Sequence, residues 1–97
     1  MANDRTGRVV WNHSTHIPGL IPVLERLAKL PHIGTVTPAV IGRAKGNTQT
    51  LKIKVSVPTR GGFKLIARKG KSFQEVFVIT DLSKPELEAA IAQVLQS

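Results

Sequence analysis

The stretch Leu51-Lys52-Ile53-Lys54-Val55-Ser56-Val57 decides the fold of this chain. Its apolar residues occupy alternate positions, and two lysines and a serine fill the gaps. A period of two places Leu51, Ile53, Val55 and Val57 on one face of a strand and Lys52, Lys54 and Ser56 on the other. Such a strand covers a core with one face and offers cations on the other. The pattern then repeats. Pro58-Thr59-Arg60-Gly61-Gly62 turns the chain, and Phe63, Leu65 and Ala67 alternate with Lys64, Ile66 and Arg68.

Lys69-Gly70-Lys71-Ser72 predicts a further turn, and Phe73 to Thr80 a last strand. Upstream, Thr35 to Gly42 is extended, rich in β-branched residues, with Pro38 requiring an edge or a bulge. Ala44-Lys45-Gly46-Asn47 is a turn, and Arg8 to Asn12 a short strand. Leu20, Val23, Leu24 and Leu27 lie on one helical face. Pro22 confines the start of that helix, because a proline deeper in it would cost a hydrogen bond; the helix begins near Gly19 or Leu20 and ends before Pro31. Ser83-Lys84-Pro85-Glu86 is a capping box, with Leu82 and Leu87 placed as a hydrophobic staple. Leu87, Ala90, Ile91, Val94 and Leu95 form the buried stripe of the second helix.

The expected order is therefore β-α-β-β-β-β-α. This is a single α+β domain over residues 1–97, a largely antiparallel sheet with two helices on one face, and a flexible tail at 1–7. The helices cover Leu51, Ile53, Val55, Phe63 and Leu65, so the other face shows Lys52, Lys54, Lys64 and Arg68. In such a meander the turns at Lys45 and Lys69–Lys71 are neighbours, and Arg60 lies at the opposite end.

Composition narrows the function. The 97 residues are 41% hydrophobic and include no cysteine, which removes disulfides, thiolate metal sites and cysteine nucleophiles. No apolar run approaches the roughly 20 residues of a membrane span, and the N-terminus leads into no apolar signal core. A cytoplasmic protein without a membrane partner is expected. The formal charge is +8, and no acidic residue falls between Glu25 and Glu75. Such a field attracts phosphate-rich polymers. The contact residues predicted for nucleic acid are Arg43, Lys45, Lys52, Lys54, Arg60, Lys64, Arg68, Lys69 and Lys71. A merely solvated lysine-rich face, protecting an open sheet from edge pairing, competes with this reading. Trp11, Phe63, Phe73 and Phe77 are the only aromatic residues, and Phe63 is assigned to the core. That scarcity favours recognition of shape and backbone, as in structured RNA or a ribonucleoprotein, over base stacking.

Asn12-His13-Ser14-Thr15-His16-Ile17-Pro18-Gly19 is the second notable segment. Two histidines within one turn can share a metal ion. The same segment enters a helix N-terminus, where N–H groups favour anions. A hydrogen-bonded turn that shapes the helix entry is the third reading. His32 is placed near the far end of the helix, roughly 16 Å away for about eleven residues at about 1.5 Å each. A fuller metal site would need Asp4, Glu75, Asp81, water or a second chain. The sequence favours a non-enzymatic role: it has no Walker-type loop, one His-Ser-Thr element, and six acidic residues outside its central half.

The histidine segment, together with Thr35-Val36-Thr37-Pro38, Ile41-Gly42-Arg43 and Gly62-Phe63-Lys64-Leu65-Ile66-Ala67-Arg68-Lys69-Gly70, resembles the prokaryotic family known as domain of unknown function 2103, labelled "predicted metal-binding protein". The resemblance covers roughly residues 8 to 95. It implies a metal role for His13 and His16, with a divalent ion such as zinc as cofactor. A zinc-ribbon-like portion associated with longer relatives has no counterpart here, since cysteine is absent. Three functions are expected, in this order: a nucleic-acid-binding module using the basic sheet face, a divalent-metal protein using His13 and His16, and a small subunit whose charge answers an acidic protein surface.

Overall fold

The computed structural model describes residues 7–10, 17 and 19–96, the side chains of Ala44 and Thr48 excepted. Strand β1 (Arg8–Val9) leads to helix α1 (Leu20–Ala28), then to two long strands, β2 (Ile33–Thr59) and β3 (Gly62–Thr80), and finally to helix α2 (Lys84–Gln96). β1 pairs with β2 in parallel, Arg8 opposite Thr35 and Val9 opposite Val36. A parallel neighbour requires a crossover, and α1 is that crossover. β2 and β3 are antiparallel throughout.

The four strands expected between the helices are the four arms of β2 and β3. Residues 33–43 pair with 72–80, and residues 48–59 pair with 62–70. β3 also folds back on itself. The Thr80 N–H donates to the Gly61 carbonyl at 2.9 Å, and Lys64 meets Glu75 at 3.4 Å. The sheet therefore runs β1, 33–43, 72–80, 62–70, 48–59. At the fold the outer path is the longer one: β2 advances from Arg43 to Thr48 while β3 moves only from Ser72 to Gly70. Gly46 and Gly70 take the bends at φ 83° and 64°, where a Cβ would be strained. The expected turns at 44–47 and 69–72 are thus present, as bends within continuous pairing. The Arg68 guanidinium donates to the Lys45 carbonyl at 3.0 Å, which makes those two bends neighbours. The Arg60 turn lies at the other end, where Ile33 pairs with Thr80.

The core follows from the two periods. Leu20, Val23, Leu24, Leu27 and Ala28 of α1 and Leu87, Ile91 and Val94 of α2 are buried. They pack with Val36, Val55, Leu65, Ala67, Val76 and Val78 of the sheet, and Leu51, Ile53 and Phe63 lie partly buried at the margin. Pro22 sits in the first turn of α1. Pro38 sits at an irregularity, because the ladder shifts register between Pro38 and Ile41. Val57 departs from the alternation. It is 47% exposed, because a register shift between Val55 and Pro58 turns it away from the core face. Gly7 belongs to the packed part of the chain: a Cβ there would run into the carbonyls of Ala28, Ile33 and Gly34. Among the described residues, no helix is long and apolar enough to cross a membrane.

Candidate functional site

The helices cover one face of the sheet and leave the other open. Lys52 and Arg68 are direct cross-strand partners on the open face, and Lys54 stands opposite Ile66. Lys52, Lys54 and Arg68 are exposed, and Lys64 is half-buried. Arg43, Lys45, Lys69 and Lys71 sit around the doubled bend, where Arg43 pairs with Ser72 and Arg68 reaches the Lys45 carbonyl. The structure therefore gathers eight of the nine cations predicted from the sequence along one face and its upper end. Arg60 does not join them.

Two features of this face escape a reading along the sequence. The first is an acid. The central half of the chain is free of carboxylates in sequence, but not in space. Folding of β3 brings Glu75 beside Lys64, with the Nζ 3.4 Å from Oε2 and both side chains about one-quarter exposed. One of the four strand-borne cations is thereby answered within the chain.

The second feature is aromatic. Gln74, Val76, Val78 and Thr80 are buried, so Phe73, Glu75, Phe77 and Ile79 point to the open face. Phe63 packs against the core, whereas Phe73 and Phe77 take no part in it. The ring of Phe73 lies over Gly42: a Cβ on that glycine would be 2.6 Å from two ring atoms. Ring and backbone thus pack where no other residue would fit. Phe77 stands opposite Thr37. Arg43, Lys45, Ile66, Arg68, Phe73 and Glu75 enclose a shallow depression of about 390 Å³, near the lower end of ordinary ligand sites at roughly 300–1,000 Å³. The two rings share a period with Glu75, but Gln74 and Thr80 of the same strand are polar and buried, so the polar residues of this strand do not by themselves mark the face that is not core.

The histidine-segment residues His13 and His16, with Trp11 and Asp4, lie outside the described residues. His32 follows the C-terminal end of α1 in a left-handed conformation, φ 69°. Its Nδ1 is 3.2 Å from Asp81 Oδ1, the two side chains being 61% and 77% exposed. Among the described residues, no group of three or more His, Asp or Glu side chains could hold an ion. Asp81 is engaged with His32 and Glu75 with Lys64, so the described residues do not fit a metal centre.

The model of one protein family, described as predicted metal-binding protein, domain of unknown function 2103, matches residues 4–97. The chain belongs to that family. No curated protein and no solved structure matches it. In this member of the domain of unknown function 2103 family, the described residues form a basic, ring-bearing sheet face.

Proposed function

We propose that the protein binds nucleic acid, RNA in the first instance, through the open face of its sheet. One observation carries the reading: Lys52, Lys54, Lys64 and Arg68 project from adjacent strands of a single face, and Arg43, Lys45 and Lys71 extend that field around the bend. Alternate residues of a strand stand about 6.7 Å apart and adjacent strands about 4.8 Å. The cations therefore form a two-dimensional array, which suits a phosphate backbone better than a single small anion. Sequence-independent affinity and salt dependence come from such contacts.

The test is titration of the Lys52→Glu/Lys54→Glu variant against wild type on a generic RNA at several salt concentrations. Both positions are exposed, so the fold tolerates the change. The expected result is weaker binding and a smaller salt slope, by about 0.7–0.9 for each phosphate that is no longer neutralised. Equal affinity with a flat salt dependence rules the reading out. A nuclease-treated pull-down separates it from an acidic protein partner, whose capture nuclease would leave intact.

A second reading, a divalent metal such as zinc held by His13 and His16, is favoured by the family description and by the histidine spacing in the sequence. Elemental analysis of natively purified protein, with His13→Ala beside it, is the measurement. A bound ion stabilises the folded state by mass action, so absence of metal together with no thermal shift on adding Zn²⁺ removes this reading.

A further inference from the structure

We infer that the nucleic acid accepted by this face is single-stranded, with its bases stacked on Phe73 and Phe77. The inference rests on the nucleic-acid reading above and specifies its ligand. A small domain has every reason to bury its few large rings, and Phe63 is placed in the core. Phe73 and Phe77 stand half-buried on the opposite face, beside Ile66 and Ile79, the last 46% exposed. The cations occupy the neighbouring arms 48–59 and 62–70, and the rings occupy 72–80.

Neighbouring strands are about 4.8 Å apart, so the cation columns lie about 5–10 Å to one side of the ring column. A backbone held by Lys52, Lys54 and Arg68 then runs beside the rings, with its bases turned over them. A duplex cannot use this arrangement, because its base faces are already stacked inside it. A single strand can, because every base has a π-face. The packing of Phe73 on Gly42 fixes that ring before binding, so little side-chain freedom is lost. Phe73 and Phe77 are four residues apart, about 13 Å along the strand. Glu75 stands between them, paired with Lys64, and its negative charge repels a phosphate there, which keeps the backbone on the cation columns.

Fluorescence titration of a labelled 12-nucleotide single strand, and of a duplex of the same sequence, on wild type, Phe73→Leu, Phe77→Leu and Lys52→Glu/Lys54→Glu tests this. The inference expects tighter binding of the single strand. It also expects a loss of roughly five- to a hundredfold for each Phe→Leu change with an unchanged salt slope. The lysine variant should lower that slope. Circular dichroism and thermal melting confirm folding of each variant. Equal or better binding of the duplex, or single-strand affinity unmoved in both Phe→Leu variants, overturns the stacking inference while nucleic-acid binding stands. Failure of wild type to bind either oligonucleotide overturns both.

Discussion

The Lys64 ammonium sits 3.4 Å from the Glu75 carboxylate across two arms of the same strand, in the middle of the open face. The pair is partly exposed, so its contribution to stability is small, about 0.2–1 kcal/mol. Its effect on a polyanion is larger in kind, because it withdraws one cation from the array and adds one repulsive charge. Glu75→Gln therefore strengthens binding of RNA and steepens its salt dependence, by up to about 0.7 in slope for a single strand. Salt-dependent titration reads this directly, and weaker binding by the glutamine variant would contradict the proposed interface.

Gly42 and Phe73 make a second, independent test. A methyl at Gly42 comes within 2.6 Å of the Phe73 ring, and the ring is the part able to move. Gly42→Ala should cost about 1–3 kcal/mol through overpacking and weaken nucleic-acid binding with no change in charge. In a Phe73→Leu background the same substitution should cost measurably less, since contacting residues couple. Thermal melts of the four proteins in the cycle give the coupling. Additive costs would mean that the ring does not lie where the structure places it.

Much of this arrangement was legible in the sequence, for identifiable reasons. Alternation in 51–57 and 63–68 located the lysine face, because a half-buried strand imposes a period of two. Pro22 and the Ser83–Glu86 box located the helix starts. Residues 73–80 carried less information: Val76, Phe77, Val78 and Ile79 are all apolar, so periodicity alone could not say which pair faces the helices. The pairing of Lys64 with Glu75 depends on β3 doubling back, a long-range fact that no local pattern encodes. Val57 was misplaced for a similar reason: a one-residue shift in pairing reverses the face of the residues beyond it.

At the start of α2 the Ser83 N–H and hydroxyl both donate to Glu86 Oε1, at 2.9 and 3.0 Å, and the Glu86 N–H donates back to Ser83 Oγ at 3.4 Å. These bonds, the backbone one foremost, hold the Glu86 carboxyl below the usual glutamate range. A carboxyl with a depressed pKa in the folded state adds stability above its unfolded pKa, about 4.3, and loses it as pH falls through the lower folded value. The melting temperature of Glu86→Ala should thus lie below that of wild type at neutral pH and converge towards it in acid. Ser83→Ala should lose about 1 kcal/mol, roughly 4–8 °C in a domain of this size. A Glu86→Ala deficit that grows on acidification would contradict the capping role.

Gly62 tests the doubled strand on which the whole face depends. A Cβ there would run into the Val78 carbonyl oxygen, with Val78 C and Ile79 Cα close behind. All three are backbone atoms, so nothing can swing aside, and the arms 62–70 and 72–80 would have to separate. Gly46 presents the opposite case: nothing lies within 4 Å of its missing Cβ, and only its φ of +83° resists a side chain. Gly46→Ala should therefore cost about 1–2 kcal/mol, whereas Gly62→Ala should cost more than about 3 kcal/mol, the upper end of single substitutions. Denaturant unfolding of the two variants gives the comparison. Similar small costs at both positions would show that the two arms of β3 are not in contact, and the single face carrying Lys64, Glu75, Phe73 and Phe77 would not exist.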